Sequence, residues 1–164
     1  MHLFCFGTLM DADIRRIVIG RPMPDHETAD AVLAEFRRVC VPDEAYPAAV
    51  PAEGSAIRGL LVGPITPVEC ERVRFFEGFE FRLTEITVLA GGTERRALVC
   101  LATQRLAPDR QAWDFEHWRS VHKPDYVEAA ATYMAGFEHL DVEDAHSVWL
   151  ESRGRLRPHA DTNR

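Results

Sequence analysis

The first apolar run covers residues 2–7, where aromatic and aliphatic side chains alternate weakly, and it predicts a strand that Gly7-Thr8 breaks. Met10, Ile14, Ile17 and Val18 then recur at helical spacing. Asp11 and Asp13 sit where a helix start favours acids, and Gly20 stands at the expected stop. Two prolines make residues 21–27 a loop. Val32, Ala34, Phe36 and Cys40 predict one apolar face of a second strand. Residues 46–50 read as a short strand pinned by Pro47 and Pro51, and residues 56–62 as a longer one with Leu60 and Val62 on one side.

The strongest local signal begins at Thr66. Thr66 as N-cap, Pro67 at the first helical position and Glu69 three after the cap form a capping box; Val68, Val73 and Phe76 follow at helix-compatible spacing. Gly78 is the expected left-handed stop, so Glu77 closes this helix. Beyond it Phe79, Phe81 and Leu83 alternate, but the apolar phase changes at Ile86 and Val88, which predicts a bulge near Thr84 and Glu85. Gly91-Gly92 turns the chain into a strand over residues 97–103.

Six extended segments with few helices between them predict an α+β fold, a small closed mixed β-barrel with flanking helices. The barrel is expected within about residues 1–105. From Pro108 the pattern becomes helical: Asp114 caps a helix carrying Trp118, and Pro124 opens another through Tyr126, Val127, Ala130 and Met134 to Gly136. A last amphipathic stretch is expected over residues 143–150. Residues 1–152 form a single domain on this reading, and 153–164 a polar, basic, mobile tail.

Composition narrows the function classes. The 164 residues carry a net charge of −7, with no basic stripe outside the arginine-rich end, which argues against nucleic acid as a partner. Cys5, Cys40, Cys70 and Cys100 are widely spaced among apolar neighbours and read as reduced core residues, with a disulfide framework as the alternative. No basic leader precedes an apolar stretch at the start, and no run approaches the ~20 apolar residues of a membrane span. A cytoplasmic protein with no membrane partner is the expectation.

Familiar catalytic signatures are missing. His117 and His122, five apart, are expected on different helix faces, and there is no Gly-x-Ser-x-Gly elbow or phosphate-binding Gly-Lys loop. Two features carry possible chemistry. At Phe6-Gly7-Thr8-Leu9 a glycine at a strand-to-helix turn lets a ligand approach backbone N–H groups that suit a carboxylate; an ordinary tight turn would look the same. Glu77 lies among Phe75, Phe76, Phe79 and Phe81 at the negative end of a helix dipole. Both surroundings raise a carboxyl pKa and suit a general base, unless Glu77 simply points into water.

Phe6-Gly7-Thr8-Leu9 resembles the Tyr-Gly-Ser/Thr-Leu loop of the gamma-glutamylcyclotransferase-like superfamily. Arg37-Arg38, Tyr46-Pro47-Ala48, Gly59-Leu60-Leu61, Phe76-Glu77-Gly78 and Phe81-Arg82 follow in the order seen in its avirulence-induced-protein and gamma-glutamylamine cyclotransferase branch. The resemblance covers about residues 1–105 and is weak beyond Pro108. It implies a closed barrel with a cavity at Gly7, Thr8 and Leu9, and it maps the catalytic glutamate onto Glu77. Phe6 and Phe81 depart from it, because tyrosine is usual at the first position and common at the second.

The implied enzyme needs no cofactor. A gamma-glutamyl amine or peptide would bind its carboxylate or carbonyl oxygens on the amides of residues 7–9, and Glu77 would relay the proton as the α-amine closes on the γ-carbonyl to give 5-oxoproline and a free amine. Two alternatives stand beside this: a non-catalytic module binding a small molecule in the same barrel, or an interaction protein using the Trp113 to Trp118 face. Neither the leaving amine nor the oligomeric state is legible.

Overall fold

The computed structural model describes residues 1–141 together with Asp144 and Ser147; the stretch expected over 143–150 and the tail from 153 otherwise lie outside the described residues. The strands are β1 (Leu3–Cys5), β2 (Thr28–Cys40), β3 (Pro47–Val62), β4 (Phe81–Ala90) and β5 (Thr93–Ala102). They close into a barrel in the order β1-β3-β2-β4-β5. All neighbours are antiparallel except β1 and β5, which pair in parallel at Leu3 and Leu98. The helices are α1 (Ala12–Ile19), α2 (Pro67–Glu77), α3 (Phe115–Val121) and α4 (Lys123–Met134).

The expected mixed barrel is present with five strands, because the two segments expected at 46–50 and 56–62 run as one strand, β3. Pro51 and Gly54 do not end it. The β2–β3 ladder instead jumps from Ala34 opposite Ala56 to Phe36 opposite Pro51, with Glu35 at φ 62 and its carboxylate accepting the Gly54 N–H at 2.8 Å. A bulge bends both strands without separating them. It also corrects the buried face of β2: Ala31 and Leu33, rather than Val32 and Ala34, face inward, and after the bulge Phe36 takes the inward phase.

No bulge occurs at Thr84 and Glu85, since β4 and β5 pair without interruption from Phe81–Ala102 to Ala90–Thr93. The change of phase has another cause. Phe81 and Leu83 pack toward the helices, whereas Ile86 and Val88 fill the barrel. A strand covered on opposite faces at its two ends changes apolar phase without changing register. β1 shows the limiting case: Leu3 and Cys5 join the helix-side core while Phe4 and Phe6 enter the barrel core, so both faces are apolar.

Helix boundaries follow the sequence signals. The Thr66–Glu69 capping box is formed, with Glu69 Oε2 accepting the Thr66 N–H at 2.6 Å; such a cap contributes about 1 kcal/mol. Val68, expected on the apolar stripe, is instead 64% exposed, and Cys70, Val73 and Phe75 form the buried face. Asp11 caps α1 and Gly20 ends it at φ 92. Asp114 caps α3. His117 and His122, expected apart, meet with ring centroids at 5.9 Å, because α3 stops at Val121 and His122 turns the chain into α4.

Candidate active site

The end of β1 builds the first half of the site. After Phe6 the chain turns at Gly7 into a single 3-10 turn, Thr8–Met10, which hands over to α1 at Asp11. Gly7 is required by crowding: a Cβ there would lie 2.8 Å from Pro47 Cγ. Every carbonyl of the turn is occupied. The Phe6 carbonyl accepts from Arg38 Nη1 at 2.7 Å, those of Gly7 and Thr8 accept from the Met10 and Asp11 N–H groups, and those of Leu9 and Met10 accept from Arg15 Nη1. The first amides of such a turn have no carbonyl behind them. Among the described residues the N–H groups of Gly7, Thr8 and Leu9 meet no protein acceptor.

Two cations therefore fix this turn from behind. Arg15 is only 8% exposed, and its Nε has no partner among the described residues. Arg38 is held over the Trp113 ring, 5.1 Å from its centroid. A trans peptide sets its N–H opposite its C=O, so the Arg38 bond to the Phe6 carbonyl turns the Gly7 amide away from the guanidinium, and the Met10 and Asp11 N–H groups that hold the Gly7 and Thr8 carbonyls do the same for the amides of Thr8 and Leu9.

The second half is the end of α2. Glu77 is the last helical residue, and Gly78 follows at φ 62, ψ −152, with open space within 4 Å of where a Cβ would stand. Conformation rather than space demands glycine here. Glu77 is half-buried as a whole residue, and its carboxyl is the enclosed part. Burial raises the carboxyl pKa to about 7, and the nearby Cys100 thiol opposes part of that shift. Glu77 in turn helps to push up the thiols of Cys5 and Cys100 and the phenols of Tyr126 and Tyr133, whose main cause is their own burial.

Both halves open on one cavity of about 70 Å³, lined by Phe6, Gly7, Thr8, Leu9 and Glu77. All five expected residues are thus brought together. Phe6 contributes mainly as a wall, its ring stacking on Phe4 at 6.5 Å. The remaining wall is not legible in the sequence: Cys5 and Cys100 from neighbouring strands, Tyr46, and Tyr126 and Tyr133 from α4. Tyr46 donates to Glu80 Oε2 at 2.6 Å and meets Phe81 edge-on at 5.8 Å. The tyrosines at 126 and 133, two turns apart on a buried helix stripe, are the available signal. Phenols therefore reach the cavity although Phe6 and Phe81 lack them.

A wider cleft of about 530 Å³ adjoins this cavity and shares Glu77, Gly78, Phe79 and Phe81 with it. Among the described residues no three His, Cys, Asp or Glu side chains converge as metal ligands, and no helix is long and apolar enough to cross a membrane.

The closed mixed barrel with its flanking helices is a cyclotransferase-like fold. The family model for gamma-glutamyl cyclotransferase, AIG2-like proteins matches residues 3–120, and the chain belongs to that family. It is similar to AIG2-like protein D of Arabidopsis thaliana, with 30% identity over 77% of this chain and 85% of the relative. AIG2-like protein C of the same plant is 27% identical over 80% and 77%. A solution structure of an Arabidopsis thaliana protein superposes with a TM-score of 0.59 at 25% identity, covering 77% of this chain and 85% of that one. A gamma-glutamyl cyclotransferase structure shares the fold with a TM-score of 0.53 at 12% identity, covering 100% and 92%.

Proposed function

We propose that this protein is a gamma-glutamylcyclotransferase that converts a gamma-glutamyl amine or peptide to 5-oxoproline and a free amine, with Glu77 as general base and acid. The observation that supports this reading is the shared cavity, lined by Glu77 with its desolvated carboxyl and by Gly7, Thr8 and Leu9. The substrate α-carboxylate or a carbonyl oxygen sits on the amides of Gly7, Thr8 and Leu9. Glu77 takes a proton from the α-ammonium group, and the freed nitrogen attacks the γ-carbonyl carbon. The ring nitrogen gives up its remaining extra proton to water, and the bond from that carbon to the leaving nitrogen breaks as Glu77 returns its proton to the departing amine.

The raised pKa fits the task. A free α-amine titrates near about 8, so a carboxyl near 7 accepts its proton at little cost, while an ordinary exposed one would not. Ring closure joins two ends of one molecule, so holding them in a near-attack geometry supplies much of the acceleration. The wider cleft beside Glu77 has room for the leaving amine.

Incubation with a panel of gamma-glutamyl amines and dipeptides, followed by mass detection of 5-oxoproline, tests the reading. Product is expected from the wild type and not from Glu77→Gln. Equal product from both overturns the base assignment; no product from either, with a thermal shift from one panel member, favours a binding module instead.

A further inference from the structure

The family match ends at residue 120, yet α4, Lys123–Met134, supplies two walls of the cavity, Tyr126 and Tyr133. Its attachments fall on both halves of the site. At its first residue, Lys123 Nζ reaches Asp11 Oδ2 at 2.8 Å and Asp13 Oδ2 at 2.9 Å. Asp11 is 5% exposed, caps α1 through its other oxygen, and donates its own N–H to the Thr8 carbonyl at 3.0 Å. The ion pair therefore bears on the turn that carries the amides. Near the far end of α4 the Tyr133 hydroxyl donates to the Phe75 carbonyl at 2.9 Å, two residues before Glu77, and the Tyr133 ring packs on Phe75 and Phe76 at 5.0 and 6.2 Å. Between these anchors Tyr126, 2% exposed, shares a hydrogen bond with Thr8.

We infer that α4 is a brace that sets the separation of the amide turn and Glu77, with Lys123 and Tyr133 as positioning residues at its two ends. The inference rests on the proposed reaction for its kinetic consequences, but its structural content stands without them. β1 and α2 are far apart in sequence; α1 links the turn to the body of α2, where Arg72 donates to the Ile17 and Val18 carbonyls at 3.0 and 2.8 Å, and α4 adds a second link that reaches the last turn of α2 beside Glu77. A rigid helix hydrogen-bonded to both holds them together, and a charge-assisted contact to a buried carboxylate and a buried phenol-carbonyl bond are the stronger kinds of attachment. Since near-attack geometry tolerates little displacement, loosening either end lowers activity without touching substrate. Among the described residues, the titratable groups that feel the Glu77 charge are Cys5 on β1, Cys100 on β5 and Tyr126 and Tyr133 on α4; removing the Tyr133 hydroxyl leaves the charges of the others at neutral pH unchanged.

The test compares Lys123→Met, Lys123→Arg and Tyr133→Phe with the wild type by amide hydrogen exchange and by kinetics. Lys123→Met is expected to speed exchange in peptides covering residues 7–11 and to raise KM about tenfold with kcat nearly unchanged, and Lys123→Arg to restore both. Tyr133→Phe is expected to speed exchange over residues 75–78 and to lower kcat about tenfold at constant KM. Unchanged exchange at both places, or the same uniform change from either variant, overturns the brace and leaves α4 a cover. Exchange needs no turnover, so a wild type that cyclises nothing refutes the proposed reaction while this test still decides the brace.

Discussion

The two halves of the cavity reach their chemistry by opposite routes. The turn at Gly7, Thr8 and Leu9 is made of backbone groups whose carbonyls are held by Arg38, by Arg15 and by the N–H groups of Met10 and Asp11, whereas the end of α2 offers one side chain whose polarity is set by loss of water. One half is stabilised by cation-to-carbonyl bonds. The other is held at a cost, because Glu77 must be either protonated or charged in a poorly solvated place. The difference teaches which half should tolerate change: loss of the acid abolishes chemistry and relieves the fold, while loosening of the turn weakens binding and leaves the fold largely intact.

The largest expected effect breaks the acid half. Glu77→Gln should reduce turnover by about 10²- to 10⁴-fold, the usual contribution of a positioned base, measured as initial 5-oxoproline release. The same variant should be more stable than the wild type at neutral pH. The folded-state pKa of about 7 stands above the ordinary 4.5, so the unfolded chain loses its proton first. Stability is then complete below pH 4.5, falls as pH rises toward 7, and levels off above it, by at most about 3 kcal/mol. Melting curves of both proteins across that window should diverge as pH rises; curves that stay parallel would show that the carboxyl is solvated.

Effects on the turn should be smaller and should fall on binding. Gly7→Ala forces its Cβ against Pro47 and moves the amides, with an expected rise in KM larger than the fall in kcat. Arg38→Met frees the Phe6 carbonyl while keeping an apolar stem near Trp113, and should raise KM by about three- to tenfold. If Arg38→Met altered kcat alone, the turn would belong to the chemistry and the contrast between the halves would fail.

These halves are also unequally legible in the sequence. Glu77 can be placed at a helix end because Thr66, Pro67, Glu69 and Gly78 are local signals whose meaning depends on a few neighbouring residues. The turn can be located by Gly7 alone, but its purpose needs the resemblance, since the arginines that aim it lie 6 to 32 residues away. Cys5, Cys100 and Tyr126 read as core, which they are; that they and Tyr133 line one cavity depends on strand pairing and helix docking that no local pattern encodes. The barrel itself is legible from its strands. The bulge at Glu35 is not, because the left-handed residue there is not glycine, and the phase change in β4 imitates a bulge that is absent.

The most direct measurement is a crystal structure of the Glu77→Gln protein with an uncleaved gamma-glutamyl amine. The α-carboxylate or a carbonyl oxygen should accept hydrogen bonds from the amides of residues 7–9, with the α-amine beside the residue 77 side chain and the γ-carbon within reach of the α-nitrogen. A ligand bound outside this cavity, or lying in it with the α-amine turned away from residue 77, would contradict a reaction shared between these two halves.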